Sequence, residues 1–271
     1  MPSTPPADDA APTIETVLFD LDDTLIQYRR SPGEVLQASF EAVGVDALFP
    51  VAAYYDRFRE FAGKTESMAE LRSECFATLA SERGHDADHG RAVAEAFAEE
   101  RDQSNVELRP GVPDALESLA ADHRLGIVTN GARDAQQRKI DAVDLDRWME
   151  TTVVAGDEVP AKPSPVPFER ALDALDATPE TTVHVGDSLD SDVAGATAAG
   201  LHSVWATDRA DRDSDGGGGE NSGGGGNEDS DGDALDVADE HQPTYRVDAV
   251  ADLRTPPWRA GSEPDRSSST R

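Results

Sequence analysis

Residues 18–25 read Leu18-Phe19-Asp20-Leu21-Asp22-Asp23-Thr24-Leu25. An apolar run, Val17-Leu18-Phe19, delivers two carboxylates spaced two apart. Strand alternation would put Asp20 and Asp22 on the same side. Paired carboxylates at the end of a strand are poor core material. They suit a divalent cation, because hard cations take oxygen ligands. One such carboxylate can attack an electrophile while the other moves a proton.

Three further segments carry chemistry-bearing residues, two of them at the ends of apolar runs. Leu125-Gly126-Ile127-Val128 leads into Thr129-Asn130-Gly131. Ala161-Lys162-Pro163 follows. Then Val183-His184-Val185 leads into Gly186-Asp187, with Asp190 and Asp192 just beyond. In this order the four segments resemble the motifs of the haloacid dehalogenase (HAD) superfamily, over roughly residues 14–207 and again near 244–254. The resemblance implies an α/β fold: a HAD-like Rossmannoid core with a mainly parallel sheet, plus an all-helical cap inserted after the first strand. It also implies Mg²⁺ and a role for each motif residue. Asp20 is then the nucleophile and Asp22 the general acid and base. Thr129, the Asn130 backbone N–H and Lys162 bind phosphate. The metal is held by Asp20, the Asp22 carbonyl and Asp187. Asp192 holds Lys162 or a water on the metal, and the family's spacing selects it over Asp190. His184 reads as a packed core residue and Thr24 as a turn residue.

Periodicity agrees with that layout. A strand is expected over 14–20. Helices are expected over 33–43, 51–62, 67–83 and 88–103, separated by turn signals at Gly44, Pro50, Gly63 and Gly84. From Arg109 onward, helices and strands alternate, which predicts right-handed crossovers and a parallel sheet. The expected division is a disordered 1–12, a core of 13–27, 109–208 and 242–254, a helical cap of 28–108, and a loose tail of 255–271. Residues 209–241 hold two Gly runs among Asp, Glu, Ser and Asn, without apolar periodicity, and are expected to be a disordered insertion. Hinges are expected near 26–31 and 106–111.

Composition narrows the function classes. Formal net charge is −31, from 55 acidic and 24 basic residues. Such a surface resembles that of proteins from salt-loving archaea and argues against nucleic acid, whose phosphates need basic patches. Only Lys64, Lys139 and Lys162 are lysines; the other basic residues are arginines. One of the three stands where the family needs a compact ammonium, a place arginine does not fill. The single cysteine, Cys75, permits no intrachain disulfide and reads as a small buried residue. No apolar run reaches membrane-spanning length and no signal peptide is visible, so a cytoplasmic protein is expected.

Asp22 separates readings within the superfamily, because the dehalogenases it resembles lack an acid/base Asp two residues after the nucleophile. The expectation is a Mg²⁺-dependent phosphatase of small phosphorylated metabolites. Haloacid dehalogenase-type or phosphomutase activity on the same fold, or a non-catalytic binding protein on the same scaffold, is the alternative. A phosphonatase would need a cap lysine, and Lys64 reads instead as a helix end. Gln137-Arg138-Lys139 resembles nucleotidase and acylneuraminate-phosphatase relatives. Tyr28, Arg29, Arg30, Tyr54, Arg57 and Arg72 are the cap candidates for substrate contact.

Overall fold

The computed structural model describes residues 13–61, 68–207 and 242–259. The expectations for the acidic Gly-rich insertion, for Lys64 and for most of both termini lie outside those residues. The described chain forms two compact units: 13–27 with 108–207 and 242–259, and 28–61 with 68–107.

The larger unit is an α/β layer structure. Its strands are β1 (Thr16–Phe19), β4 (Arg124–Asn130), β5 (Thr151–Ala155), β6 (Thr182–Gly186), β7 (His202–Ala206) and β8 (Tyr245–Val247). They form one sheet in the order β5-β4-β1-β6-β7-β8, with every neighbouring pair parallel. Parallel neighbours need crossovers, supplied here by α5 (Val112–Ala120), α6 (Arg133–Ala142), α7 (Val166–Leu175) and α8 (Ala194–Ala198). Leu18 and Val128 pack with Phe168, Ala171, Leu172 and Leu175 of α7 in one apolar cluster. Val17 and Phe19, on the other side of β1, are also fully buried, so both faces of the sheet are covered. β1 is therefore a continuous apolar run rather than an alternating one.

The smaller unit is built on α1 (Pro32–Val43), α2 (Val51–Phe61), α3 (Met68–Glu82) and α4 (Ala87–Glu100). Ser31 and Glu34 form a reciprocal capping box at the start of α1, and Gly44 ends it in the left-handed conformation. Phe40, Phe49, Tyr54, Phe76 and Phe97 share one buried cluster, joined edge-to-face. Cys75 lies in this cluster, and burial pushes its thiol up to about 11. That makes it a core residue and a poor nucleophile at neutral pH.

Gly90 lets α4 lie against α3: a Cβ there would stand 2.3 Å from the Phe76 carbonyl oxygen. Gly90→Ala is expected to cost about 1–3 kcal/mol by overpacking. Thermal denaturation followed by circular dichroism checks it, and an unchanged Tm would mean the helices can separate freely.

Two differences from the sequence expectation concern the end of β1 and the expected hinges. The strand stops at Phe19, and Asp22 is reached through a tight loop in which the Leu25 and Ile26 N–H groups both donate to the Leu21 carbonyl. Alternation therefore does not extend to Asp22, which makes only an isolated bridge with Ile26. The stretches expected as hinges also contain strands, β2 (Ile26–Tyr28) and β3 (Val106–Leu108), paired as a two-stranded ribbon.

Candidate active site

The register fixes where the motif residues meet. Phe19 pairs with Ile127 on one side and Val185 on the other. Asp20, Thr129 and Asp187 therefore all emerge at the C-terminal edge of three adjacent strands, where open parallel sheets bind ligands. The Asp20 N–H continues the ladder, donating to the Val185 carbonyl at 2.9 Å. The nucleophile candidate is thus anchored by its own backbone.

Lys162 is the hub. Its Nζ donates to Asp20 Oδ1 at 2.7 Å, to Asp192 Oδ1 at 2.6 Å and to the Val128 carbonyl at 2.8 Å. Its side chain is only 2% exposed. Burial alone would lower its affinity for a proton, but Asp192 and Asp20 outweigh that and hold the ammonium above the usual lysine range. The loop that presents it, which includes a cis Lys162–Pro163 peptide bond, is held by Asn130. The Asn130 side chain accepts from the Lys162 N–H at 2.8 Å and donates to the Lys162 carbonyl at 3.1 Å. This clamp was not foreseen from the sequence, where only the Asn130 backbone was considered.

Asp192 sits behind Lys162, almost fully buried. Its Oδ2 accepts from the Ser188 N–H at 3.1 Å, and His184 Nε2 lies 3.1 Å from its Oδ1. Burial would raise this carboxyl, yet Lys162 and His184 keep it below the ordinary carboxylate range. A π-type turn, Leu189–Val193, carries it, and the α-helix that follows begins only at Ala194. Gly186 is required by the same packing, because a Cβ there would stand 2.3 Å from the Asp192 carboxylate. His184 is a packed core residue, as expected, with Phe168 edge-on at 4.9 Å. It also touches Asp192, which the sequence did not suggest.

Asp20, Asp187 and Asp192 each offer an oxygen within 4.8 Å of the others. Burial pushes the Asp20 carboxyl up to about 7 against the pull of Lys162, with Asp192 and Asp22 adding to the rise. Asp187 is pushed well above its ordinary value by burial and then by Asp20, Asp192 and Asp23. Thr24 Oγ1 donates to Asp187 at 3.1 Å and so does more than fix a turn. Crowded carboxylates of this kind suit a divalent cation, which would relieve the repulsion. Both Asp192 oxygens are already engaged by Lys162, His184 and Ser188, so Asp20 and Asp187 are the better donors.

Two residues of α6 complete the cluster, and neither was a sequence candidate. Gln136 Nε2 lies 2.8 Å from Asp22 Oδ2, 2.7 Å from Thr129 Oγ1 and 3.0 Å from the Asn130 carbonyl. Lys139 Nζ lies 2.7 and 2.9 Å from the two Asp22 oxygens. The one available signal was compositional: two of three lysines sit in this cluster.

The candidates in the helical unit are engaged locally. Arg29 pairs with Glu107, Arg30 with Glu100, and Arg57 with Glu60 and Glu82. The Tyr28 hydroxyl donates to Gln103, and the Arg72 guanidinium lies over the Phe97 ring at 5.2 Å. Tyr54 is part of the aromatic cluster.

Comparison with known proteins agrees with this layout. The sequence model of the haloacid dehalogenase-like hydrolases matches residues 14–200, and a HAD-hydrolase-like model matches 159–253. The phosphoserine phosphatase of Thermus thermophilus is 30% identical over 235 residues, covering 74% of this chain and 92% of that protein. The rat N-acylneuraminate-9-phosphatase is 29% identical, covering 71% and 82%. The glyceraldehyde 3-phosphate phosphatase of Methanopyrus kandleri is 28% identical, covering 70% and 83%. Among solved structures, the HAD-hydrolase YfnB of Bacillus subtilis, bound to magnesium, superposes with a TM-score of 0.65 at 23% identity, covering 89% of this chain and 97% of that one. With both its sheet order and its motif-bearing strand ends accounted for, the chain belongs to the haloacid dehalogenase-like hydrolases.

Proposed function

We propose that this chain is a Mg²⁺-dependent phosphatase of small phosphorylated metabolites, working through an aspartyl-phosphate on Asp20. Hydrolysis of a phosphoric monoester is the reaction class of its named relatives, which act on phosphoserine, N-acylneuraminate-9-phosphate and glyceraldehyde 3-phosphate. The observation that carries the reading is the Lys162 hub: a buried ammonium bonded at once to Asp20 and Asp192. It supplies positive charge beside the attacking oxygen, where charge develops during transfer.

Asp20 attacks phosphorus, and the bond from phosphorus to the ester oxygen breaks. Asp22 gives its proton to that oxygen, then takes one from the water that attacks the aspartyl-phosphate; phosphate leaves and Asp20 is restored. Thr129 Oγ1 and the Asn130 N–H donate to phosphate oxygens, and Lys162 offsets their charge. A Mg²⁺ held by the Asp20 carboxylate, the Asp22 carbonyl and Asp187 would neutralise and align the phosphate. Asp192 keeps Lys162 aimed at Asp20. The helical unit would act as the cap that sets substrate choice.

Among the described residues no helix is long and apolar enough to cross a membrane. The acid-rich, lysine-poor composition supports work at high salt, so molar KCl is the right assay medium. In that medium, p-nitrophenyl phosphate hydrolysis is expected to need Mg²⁺, to stop with EDTA and to return when Mg²⁺ is restored. Hydrolysis that is indifferent to EDTA would rule out the metal, and none with any divalent cation would rule out the phosphatase.

A further inference from the structure

We propose that Lys139 and Gln136 are positioning residues for Asp22, holding its carboxyl group where, once protonated, it can hand a proton to the leaving oxygen and, once ionised, take one from water; the inference rests on the phosphatase reading above. Asp22 is beyond the end of β1, in a loop whose backbone is fixed by the Leu21 carbonyl and the bridge to Ile26. Those contacts fix the main chain and leave side-chain rotation free. Its side chain is 33% exposed, whereas that of Lys139 is 7% exposed. A partly solvated carboxylate on a loop would ordinarily sample several rotamers.

α6 removes that freedom. Residues three apart share a helix face, so Gln136 and Lys139 reach Asp22 together. Lys139 spans both carboxylate oxygens, at 2.7 and 2.9 Å, and sets the plane of the group. Gln136 takes Oδ2 and also contacts Thr129 Oγ1 and the Asn130 carbonyl. One amide thus ties the acid/base candidate to the segment proposed to bind phosphate, fixing their separation. Misplacing a reacting group by about 1 Å can cost on the order of 10²-fold, so a clamp of this kind has kinetic consequences.

General-acid help matters most when the leaving group is a poor anion, which gives a readout that mere structural damage would not produce. Lys139→Met and, separately, Gln136→Met are compared with wild type on p-nitrophenyl phosphate and on glycerol phosphate. The quantity read is kcat/KM, which reports transfer to Asp20 and not the later hydrolysis. With glycerol phosphate, Lys139→Met is expected to lose about 10²-fold or more, within the usual range for general-acid catalysis, and with the aryl ester less than about tenfold. Gln136→Met, which keeps the buried volume, should show the same bias. In an Asp22→Asn background, adding Lys139→Met should cost little further, because the group being positioned is already disabled. Equal losses on both esters, or undiminished losses in the Asp22→Asn background, would overturn the inference while leaving the phosphatase intact. Wild type inactive on both esters would overturn both.

Discussion

Asp20→Asn is expected to reduce p-nitrophenyl phosphate turnover by at least about three orders of magnitude while leaving the fold intact. The amide is nearly isosteric with the carboxylate, and its oxygen can still accept from Lys162, now at 2.7 Å from Asp20 Oδ1. It carries no charge with which to attack phosphorus. Nor should stability fall far. Asn removes one negative charge from a crowd in which burial and neighbouring carboxylates already push Asp20 up to about 7. Lys162 keeps Asp192 as its counter-ion at 2.6 Å. The Tm should therefore stay within a few degrees of wild type, and anionic substrate should bind at least as tightly once the repulsion is gone. Single-turnover mixing with labelled substrate, followed by acid precipitation, should find label on wild-type protein and none on the variant. Full activity in Asp20→Asn would end the covalent mechanism. A large loss of Tm with inactivity would mean that Asp20 is first of all a structural partner of Lys162.

The motif residues could be read from the sequence because their chemistry demands particular side chains at strand ends, and strand ends are visible as apolar runs that stop. Asp20, Thr129 and Asp187 stand at such ends and Lys162 beyond one; their roles were read through the resemblance to the HAD superfamily, and parallel register brings the strand ends to one edge of the sheet. Gln136 and Lys139 could not be read in the same way. Helical spacing puts them on one face of α6, but their partner Asp22 is 114 and 117 residues away, and periodicity does not say what a face will meet. The His184 contact with Asp192 was hidden for a related reason: a buried histidine in a strand looks the same whether it packs or pairs. The ribbon of β2 and β3 was missed because three-residue strands are too short to show a period. Alternation does not govern the placement of Asp22, since it assumes a straight strand and Leu21 instead starts a tight turn.

Lys162→Met should be inactive and, unlike Asp20→Asn, strongly destabilised. Removing one partner of a buried ion pair typically costs about 3–5 kcal/mol, because the other charge stays buried without compensation. In a unit of this size that corresponds to a Tm loss on the order of 10 °C. Here two carboxylates are left behind. The Asp192 side chain is 2% exposed, with only His184 and the Ser188 N–H still facing it. In wild type, burial would raise Asp192, but Lys162 and His184 hold it below its ordinary value. It therefore contributes stability above its unfolded pKa, and that stability is lost as pH falls through the folded value. Without Lys162 the sign reverses: burial dominates, Asp192 and Asp20 sit above their unfolded values, and both destabilise the fold at neutral pH. The gap between variant and wild type should thus be widest near pH 7–8 and close toward pH 4, where both carboxyls take up protons. Molar KCl should not close it, since salt screens exposed charges far more than buried ones. Lys162→Met/Asp192→Asn removes a charge from each side and should recover much of the lost Tm, because replacing both members of a buried pair is far less costly than removing one. Activity should not return with it, as the ammonium beside Asp20 is still missing. Denaturation curves at several pH values, read beside p-nitrophenyl phosphate rates for the same proteins, test both halves. A Lys162→Met variant as stable as wild type at pH 7 would mean that Asp192 finds its compensation elsewhere. Activity regained in the double variant would mean that Lys162 serves the fold alone.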